Sequence, residues 1–288
     1  MTEIKLHRMA LDDVGANPRR LAEAIHGQLG ERKGPVLVDQ IARALDIEEI
    51  REERISNIEA ALVTDPERSY GSILVNLNSS PQRRRFSIGH ELGHFLNPLH
   101  EPTSSEGFRC TRSDMILAAQ NNQDRYVRQE AEANTFAIEL LAPRGWVKSY
   151  LNPSPDLAKV LRLAGDLDIS REAAARRYVE LHDETLAVVF CASGKFSYAR
   201  RKDGFPSLCL RQGQPLNRPS DGAEGDVSSV EEVDATDWLH RPQRVKLTAQ
   251  TLFQQRGFST TLLHILHTED DEELEDIYER FAGFQRRR

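Results

Sequence analysis

Two imidazoles and a carboxylate interrupt an apolar helical pattern in RRRFSIGHELGHFLNPLH, residues 83–100. Ile88, Leu92, Phe95 and Leu96 recur at helical spacing and predict a buried stripe. His90 and His94 are four residues apart, so they leave the helix on one side, one turn from each other. Imidazoles placed that way can share a zinc ion, and Glu91 between them then stands beside a water whose pKa the ion lowers to about 7. A carboxylate there can take the proton as the water attacks a peptide carbonyl. The plainer alternative is a pair of partly exposed surface histidines.

A catalytic zinc takes three protein ligands and keeps a fourth position open. The stretch RYVRQEAEANTFAIELLAP offers the third ligand. It reads as a helix from Arg125 to Ala142, and Pro143 stops it because the residue before a proline is pushed out of helical geometry. Glu130 and Asn134 share one side, while Phe136, Ala137, Leu140 and Leu141 supply core contacts. Glu130 can complete the set with His90 and His94. Asn134 can orient the outer nitrogen of a ligating imidazole. Glu132, two residues beyond Glu130, points elsewhere on the helix and is the lesser candidate. The ordinary fate of a helix glutamate is a solvated surface, and the HELGH pairing is what sets Glu130 apart.

Between the two helices runs HEPTSSEGFRCTRSDM, a polar loop ending in Cys110. A thiolate is a strong zinc ligand, so Cys110 could fill the open position as an inhibitory switch, released by loop movement or oxidation. Arg109 and Arg112 would favour an electropositive thiol. The alternative is a small residue seating the loop beside Phe108. Cys191 in LAVVFCA and Cys209 in SLCL sit in apolar strand-like runs and read as core residues.

The elements that must position this chemistry can be read around it. PRRLAEAIHGQLG and VLVDQIARALDI predict two amphipathic helices with a break at residues 30–34. Ala60–Val63 and Gly71–Leu77 predict paired strands around the turn DPERSYG. A small sheet of this kind offers an edge on which an extended substrate can lie. PDLAKVLRLAGDLDISREAAARRYVELH predicts a helix, a turn and a helix, with Ser170 as N-cap. Arg171, Arg176 and Arg177 could there touch phosphates, although the same segment packs well through its leucines and Tyr178.

From Leu186 the texture changes to strands: LAVVFCASGKFSYARR, FPSLCLRQG, RVKLTAQTLF and STTLLHILH. GQPLNRPSDGAEGDVSSVEEVDATD reads as a long loop, and EDDEELEDIYERFAGFQRRR as a terminal helix whose acidic start and basic end suit the helix dipole. Trp238 and the basic residues at 200–202 could meet a single-stranded nucleic acid by stacking and charge.

The segments RRRFSIGHELGHFL, FRC and EAEANTFAIELLAP, in that order, resemble the ImmA/IrrE family of zinc metallopeptidases. The resemblance spans roughly residues 35–180. It implies an α+β fold: a zincin-like metallopeptidase domain over residues 1–152, a helix-turn-helix-like segment over 153–183, and a C-terminal α+β domain over 184–288 similar to GAF domains. It also implies Zn2+ on His90, His94 and Glu130, with Glu91 as the base. The implied substrate is a cognate helix-turn-helix repressor, cut to relieve repression in a stress, DNA-damage or phage-defence response. An activating ligand or single-stranded DNA would act at the C-terminal domain. Leu141-Ala142-Pro143 departs from the family's more usual Leu-Met-Pro, a packing change outside the chemistry.

Composition narrows the classes. A net charge of −7 argues against a protein that coats nucleic acid, and no apolar run nears the ~20 residues that span a bilayer. The N-terminus MTEIKLHRMALDD has no signal-peptide core, and three cysteines without a CxxC pair suit a reducing cytoplasm. Two rival classes remain: a zinc-containing sensor that binds a repressor or nucleic acid without cutting, and a DNA-binding regulator built on residues 155–182. A merely structural zinc site would be closed, usually cysteine-rich, and would not need Glu91.

Overall fold

A mixed four-stranded sheet with helices packed on it forms the first part of the chain, and a five-stranded antiparallel sheet forms the last. The architecture is therefore α+β. The structure, a computed structural model, describes residues 4–31, 34–102, 108–110, 125–216, 222–241 and 245–266, without the side chains of Arg109 and Cys110. Contacts divide the chain into two compact units, Met1–Val147 with Leu163–Ala173, and Lys148–Arg162 with the chain from Ala174 onward.

In the first unit, a short helix α1 (Met9–Asp12) leads to α2 (Pro18–Leu29), which begins where Asn17 accepts from the backbone amides of Arg19 and Arg20. Helix α3 (Val38–Ala44) is shorter than its apolar pattern suggests. Asp46, at a φ of 69°, turns the chain out of it and into a strand, β1 (Ile47–Glu53), that periodicity does not reveal. Its charges hide it: Ile47 is the one buried side chain on it, and Arg51 pairs with Glu49 and Glu53. Such charges are what keeps an edge strand from recruiting another chain.

Strands β2 (Ala60–Thr64) and β3 (Gly71–Asn76) pair antiparallel, as their alternation predicts, with Leu62 opposite Ile73. In the turn between them Asp65 accepts from the amides of Ser69 and Tyr70. The short strand β4 (Phe108–Cys110) lies beside β2 and completes the order β1-β3-β2-β4. Cys110 thus stands on an edge strand rather than in a loop.

Helix α4 (Pro81–Leu96) starts at Ser80, whose hydroxyl accepts from the Arg83 amide, with Pro81 in the first turn. Its basic residues are structural. Arg85 donates to the carbonyls of Val36 and Asp168, and Arg84 pairs with Glu52. The helix ends at Asn97, whose extended backbone is imposed by Pro98. Helix α5 (Arg125–Leu141) buries Gln129, Glu130, Ala133, Phe136, Ala137, Leu140 and Leu141, the face its spacing predicts.

Short helix α6 (Arg144–Val147) precedes α7 (Leu157–Leu167) and α8 (Arg171–Leu181), the predicted helix-turn-helix pattern. Ser170 accepts from the Ala173 amide at 3.1 Å, as an N-cap should. Arg177 is not the phosphate contact that its position in this motif suggests. Its side chain is buried and paired with Glu180 at 3.0 Å.

In the second unit β5 (Leu186–Ala192) and β6 (Lys195–Arg201) make a hairpin around Ser193 and Gly194, both at positive φ as a tight two-residue turn requires. Strands β7 (Glu231–Val233), β8 (Lys246–Phe253) and β9 (Ser259–Leu266) extend it in the order β6-β5-β9-β8-β7. Two expectations fail here. Phe205–Gly213 forms a single bridge, Leu208 to Leu239, instead of a strand, and the expected long loop contains β7.

Trp238 is 3% exposed, packed with Phe205, Leu239, Leu247 and Ile265, so it offers no ring to a nucleic-acid base. Lys202 and Arg201 are likewise committed, Lys202 to the carbonyls of His182 and Asp183, Arg201 to that of Phe205. Cys191 is buried as predicted, whereas Cys209 is half-buried with its thiol 3.3 Å from the Asp237 carbonyl. The predicted terminal helix over residues 269–288 lies outside the described residues.

Candidate metal centre

Small residues let the two central helices meet. A Cβ on Gly93 would come within 3.0 Å of Phe136 Cδ1 and 3.3 Å of Ala133 Cα, and one on Gly89 within 3.4 Å of the Ala137 methyl. The two glycines of SIGHELGH therefore bring α5 close enough for a glutamate to reach across. This close approach carries no periodic signal, and the sequence reading overlooked it.

At that contact the structure gathers His90, His94 and Glu130, all buried, with one possible ligand atom from each lying within 4.8 Å of the others. His90 Nε2 is 3.1 Å from His94 Nε2. Glu130 places Oε2 at 3.3 Å from His90 Nε2 and Oε1 at 3.3 Å from His94 Nε2. Ligand atoms about 2.0–2.1 Å from a tetrahedral ion lie about 3.3–3.4 Å from one another, so the spacing fits a zinc-sized cation.

Proton placement supports the same conclusion. His90 Nδ1 is 3.1 Å from the Asn134 side-chain oxygen, which can only accept, so the proton of a neutral His90 sits on Nδ1 and Nε2 carries a lone pair. Burial pushes the His94 imidazole down to about 3, against the opposing pull of Glu130, and so keeps it neutral. For Glu130 burial acts to raise the pKa, but the two imidazoles of His90 and His94 facing the carboxyl outweigh it and hold it well below the ordinary range. A neutral His94 and an ionised Glu130 are the forms a metal ion requires.

Glu91, on α4 between the two imidazoles, is fully buried. The outer side of His94 is also built. Phe108 stacks on its ring at 4.7 Å, and its Nδ1 is 2.9 Å from His100 Nδ1. Arg68, in the β2–β3 turn, donates to the carbonyls of His94 at 2.9 Å and of Asn97 and His100, which secures the end of α4. Neither His100 nor Arg68 belongs to a periodic helix pattern, and neither was singled out from sequence.

Arg85 is occupied by Val36 and Asp168, and Tyr70 is half-exposed in the β2–β3 turn. The Cys110 thiol lies outside the described side chains, so its approach to the centre is not part of this geometry.

Residues 46–178 match a peptidase family described as the IrrE N-terminal-like domain. An uncharacterized immunity region protein of Bacillus phage phi105 is 39% identical over 80 residues, which cover 28% of this chain and 43% of that protein. The chain thus matches less than half the length of this relative. A Mycobacterium tuberculosis transcriptional regulator has a similar fold at a TM-score of 0.50 and 14% identity, covering 88% of this chain and 90% of that one. No helix among the described residues is long and apolar enough to cross a membrane. Residues 46–178 of the chain are thus similar to the IrrE N-terminal-like domain of the ImmA/IrrE peptidases.

Proposed function

We propose that the chain is a zinc-dependent endopeptidase whose substrate is a helix-turn-helix repressor, and that cutting it relieves repression in a stress, DNA-damage or phage-defence response. The observation that carries this reading is the buried set of two imidazole nitrogens and one carboxylate at mutual distances of 3.1–3.3 Å, with Glu91 on the same helix. His90, His94 and Glu130 would hold the ion, and Asn134 fixes the His90 ring. A zinc ion there supplies Lewis acidity, polarising a carbonyl and acidifying a water molecule.

The protein's own part is proton handling and positioning. Glu91 accepts a proton from the attacking water and returns it to the leaving amine, so one carboxylate serves as base and then as acid. Strand β4 lies at the opposite edge of the sheet from charged β1, and supplies a backbone on which an extended segment of substrate can pair.

On this reading residues 1–152 form the zincin-like domain, 153–183 the helix-turn-helix-like segment, and 184–288 a GAF-like sensor that receives the activating signal. The phage immunity relative supports a regulatory protein as substrate.

Incubation of the full chain and its Glu91→Gln variant with helix-turn-helix regulators encoded near it tests the reading. Zinc retained by both, with cleavage by the wild type alone, is the expected result. An intact regulator in both, under conditions where zinc is bound, would leave the chain a sensor that binds without cutting.

A further inference from the structure

We propose that His100 and Glu132 are positioning residues for the metal centre, holding His94 in the one tautomer that turns a lone pair toward Glu130. The inference rests on the zinc reading above. It starts from a line of short contacts that leads away from the site. His94 Nδ1 lies 2.9 Å from His100 Nδ1, and His100 Nε2 lies 3.0 Å from Glu132 Oε2. His94 and His100 are each 1% exposed, whereas the Glu132 side chain is 31% exposed, so the line runs from the buried ligand to the surface.

A neutral imidazole has one donor and one acceptor nitrogen, and this allows the line only two states. In the first, His94 donates from Nδ1 to His100 Nδ1, His100 donates from Nε2 to Glu132, and His94 Nε2 presents its lone pair to the metal. In the second every proton moves to the other nitrogen. His100 Nε2 then accepts from the Asn97 amide, 2.9 Å away, and His94 carries its proton on Nε2, pointing at His90. That second state cannot ligate. With Glu130, which faces His94 Nε2 at 3.3 Å, engaged by the ion, the acceptor-only Glu132 carboxylate selects the first state.

The neighbouring groups fit that choice. Asn97 Nδ2 can spend its two protons on the Ala16 carbonyl at 3.1 Å and on Glu132 Oε2 at 3.3 Å, leaving His100 to donate to the same carboxylate. Arg68 grips the backbone carbonyls of both His94 and His100, so the two rings are held in one frame. Phe108 against the His94 ring limits its rotation. The two ligating imidazoles are therefore supported differently, His90 by the neutral amide of Asn134 and His94 by an imidazole backed by a carboxylate. Partners that orient a ligating histidine typically change metal affinity about 10–100-fold when removed.

The test is the zinc affinity of the full chain, measured by chelator competition for wild type, His100→Phe and Glu132→Gln, with thermal melting of each metal-free protein alongside. His100→Phe keeps the ring volume and removes both nitrogens. Glu132→Gln keeps the shape at a half-exposed position and removes the charge. Expected are an approximately 100-fold loss of affinity for His100→Phe and an approximately 10-fold loss for Glu132→Gln. The metal-free melting of Glu132→Gln should match wild type, and the visible absorption of cobalt-loaded protein should change in both variants. Should His100→Phe fail to fold, Glu132→Gln decides. Wild-type zinc affinity and an unchanged cobalt spectrum in Glu132→Gln would overturn the proposal while leaving the metal site intact. A wild-type chain that binds no zinc would instead refute the metal reading, and this inference with it.

Discussion

The two sheets carry different kinds of buried polarity. Around α4 and α5 the first unit buries His90, Glu91, His94, His100, Glu130 and Glu139, each at most 4% exposed. The buried polar groups on the strands of the second unit are Gln250, Thr251, Ser259, Thr260 and Thr261. Gln250, Thr251 and Thr261 have local structural partners: Thr251 meets Thr261 at 3.0 Å, and Gln250 donates to Asp156 and to the Ser228 carbonyl. Hydroxyls and amides bonded within a sheet hold strands in place. Ionisable groups buried facing one another oppose stability unless an ion or a reaction uses them, and the buried set that could hold a metal ion, His90, His94 and Glu130, lies in the first unit.

Mutations should separate the two regions cleanly. The largest effect expected is on catalysis, from Glu91→Gln: cleavage of a repressor substrate should fall on the order of 10²–10⁴-fold with zinc content unchanged. Retained cleavage would remove Glu91 from its role. Next comes Leu263→Ala, in the fully buried core of the second sheet. Chemical denaturation should show a loss of about 2–5 kcal/mol, with zinc affinity untouched. A parallel loss of zinc affinity would mean that the two regions are not separate.

Gly93→Ala should cost less stability, about 1–3 kcal/mol, because the added methyl meets Phe136 and Ala133. Unlike Leu263→Ala it should also weaken zinc binding, since it pushes α5 and Glu130 away from the imidazoles. Normal zinc affinity in a destabilised Gly93→Ala protein would contradict the close-approach argument.

The smallest effect concerns pH. His26, buried against Trp146 with Nε2 donating to the Leu140 carbonyl at 2.9 Å, is held below its ordinary 6.5 by burial, with that hydrogen bond opposing. The unfolded chain therefore binds more protons than the native one as pH falls through 6.5. The His26 contribution is fully present above that pH and is lost below it. Denaturant midpoints of metal-free protein measured from pH 8 to pH 5 should fall less steeply in His26→Gln. An identical slope would assign the acid sensitivity elsewhere.

Much of the first unit was legible because its signals are local. The apolar stripe of Ile88, Leu92 and Phe95 and the stop at Pro143 both lie within a turn or two of what they control. The spacing of His90, His94 and Glu130 could be read the same way, one face per helix. His100 could not, because it follows Pro98 outside any periodic element and reaches His94 through tertiary packing secured by Arg68. Helical spacing points Glu132 away from Glu130, yet its carboxylate meets that same imidazole at 3.0 Å. Strand β1 was missed since an edge strand guarded by charge lacks alternation, and Trp238 was misread since exposure depends on which loop covers a sheet.

X-ray absorption at the zinc edge of the full chain tests the central claim most directly. The account predicts one zinc per chain with two imidazole nitrogens and carboxylate oxygen at about 2.0–2.1 Å, and loss of the carboxylate contribution in Glu130→Ala. A chain that retains no zinc, or a zinc shell without imidazole, would contradict it.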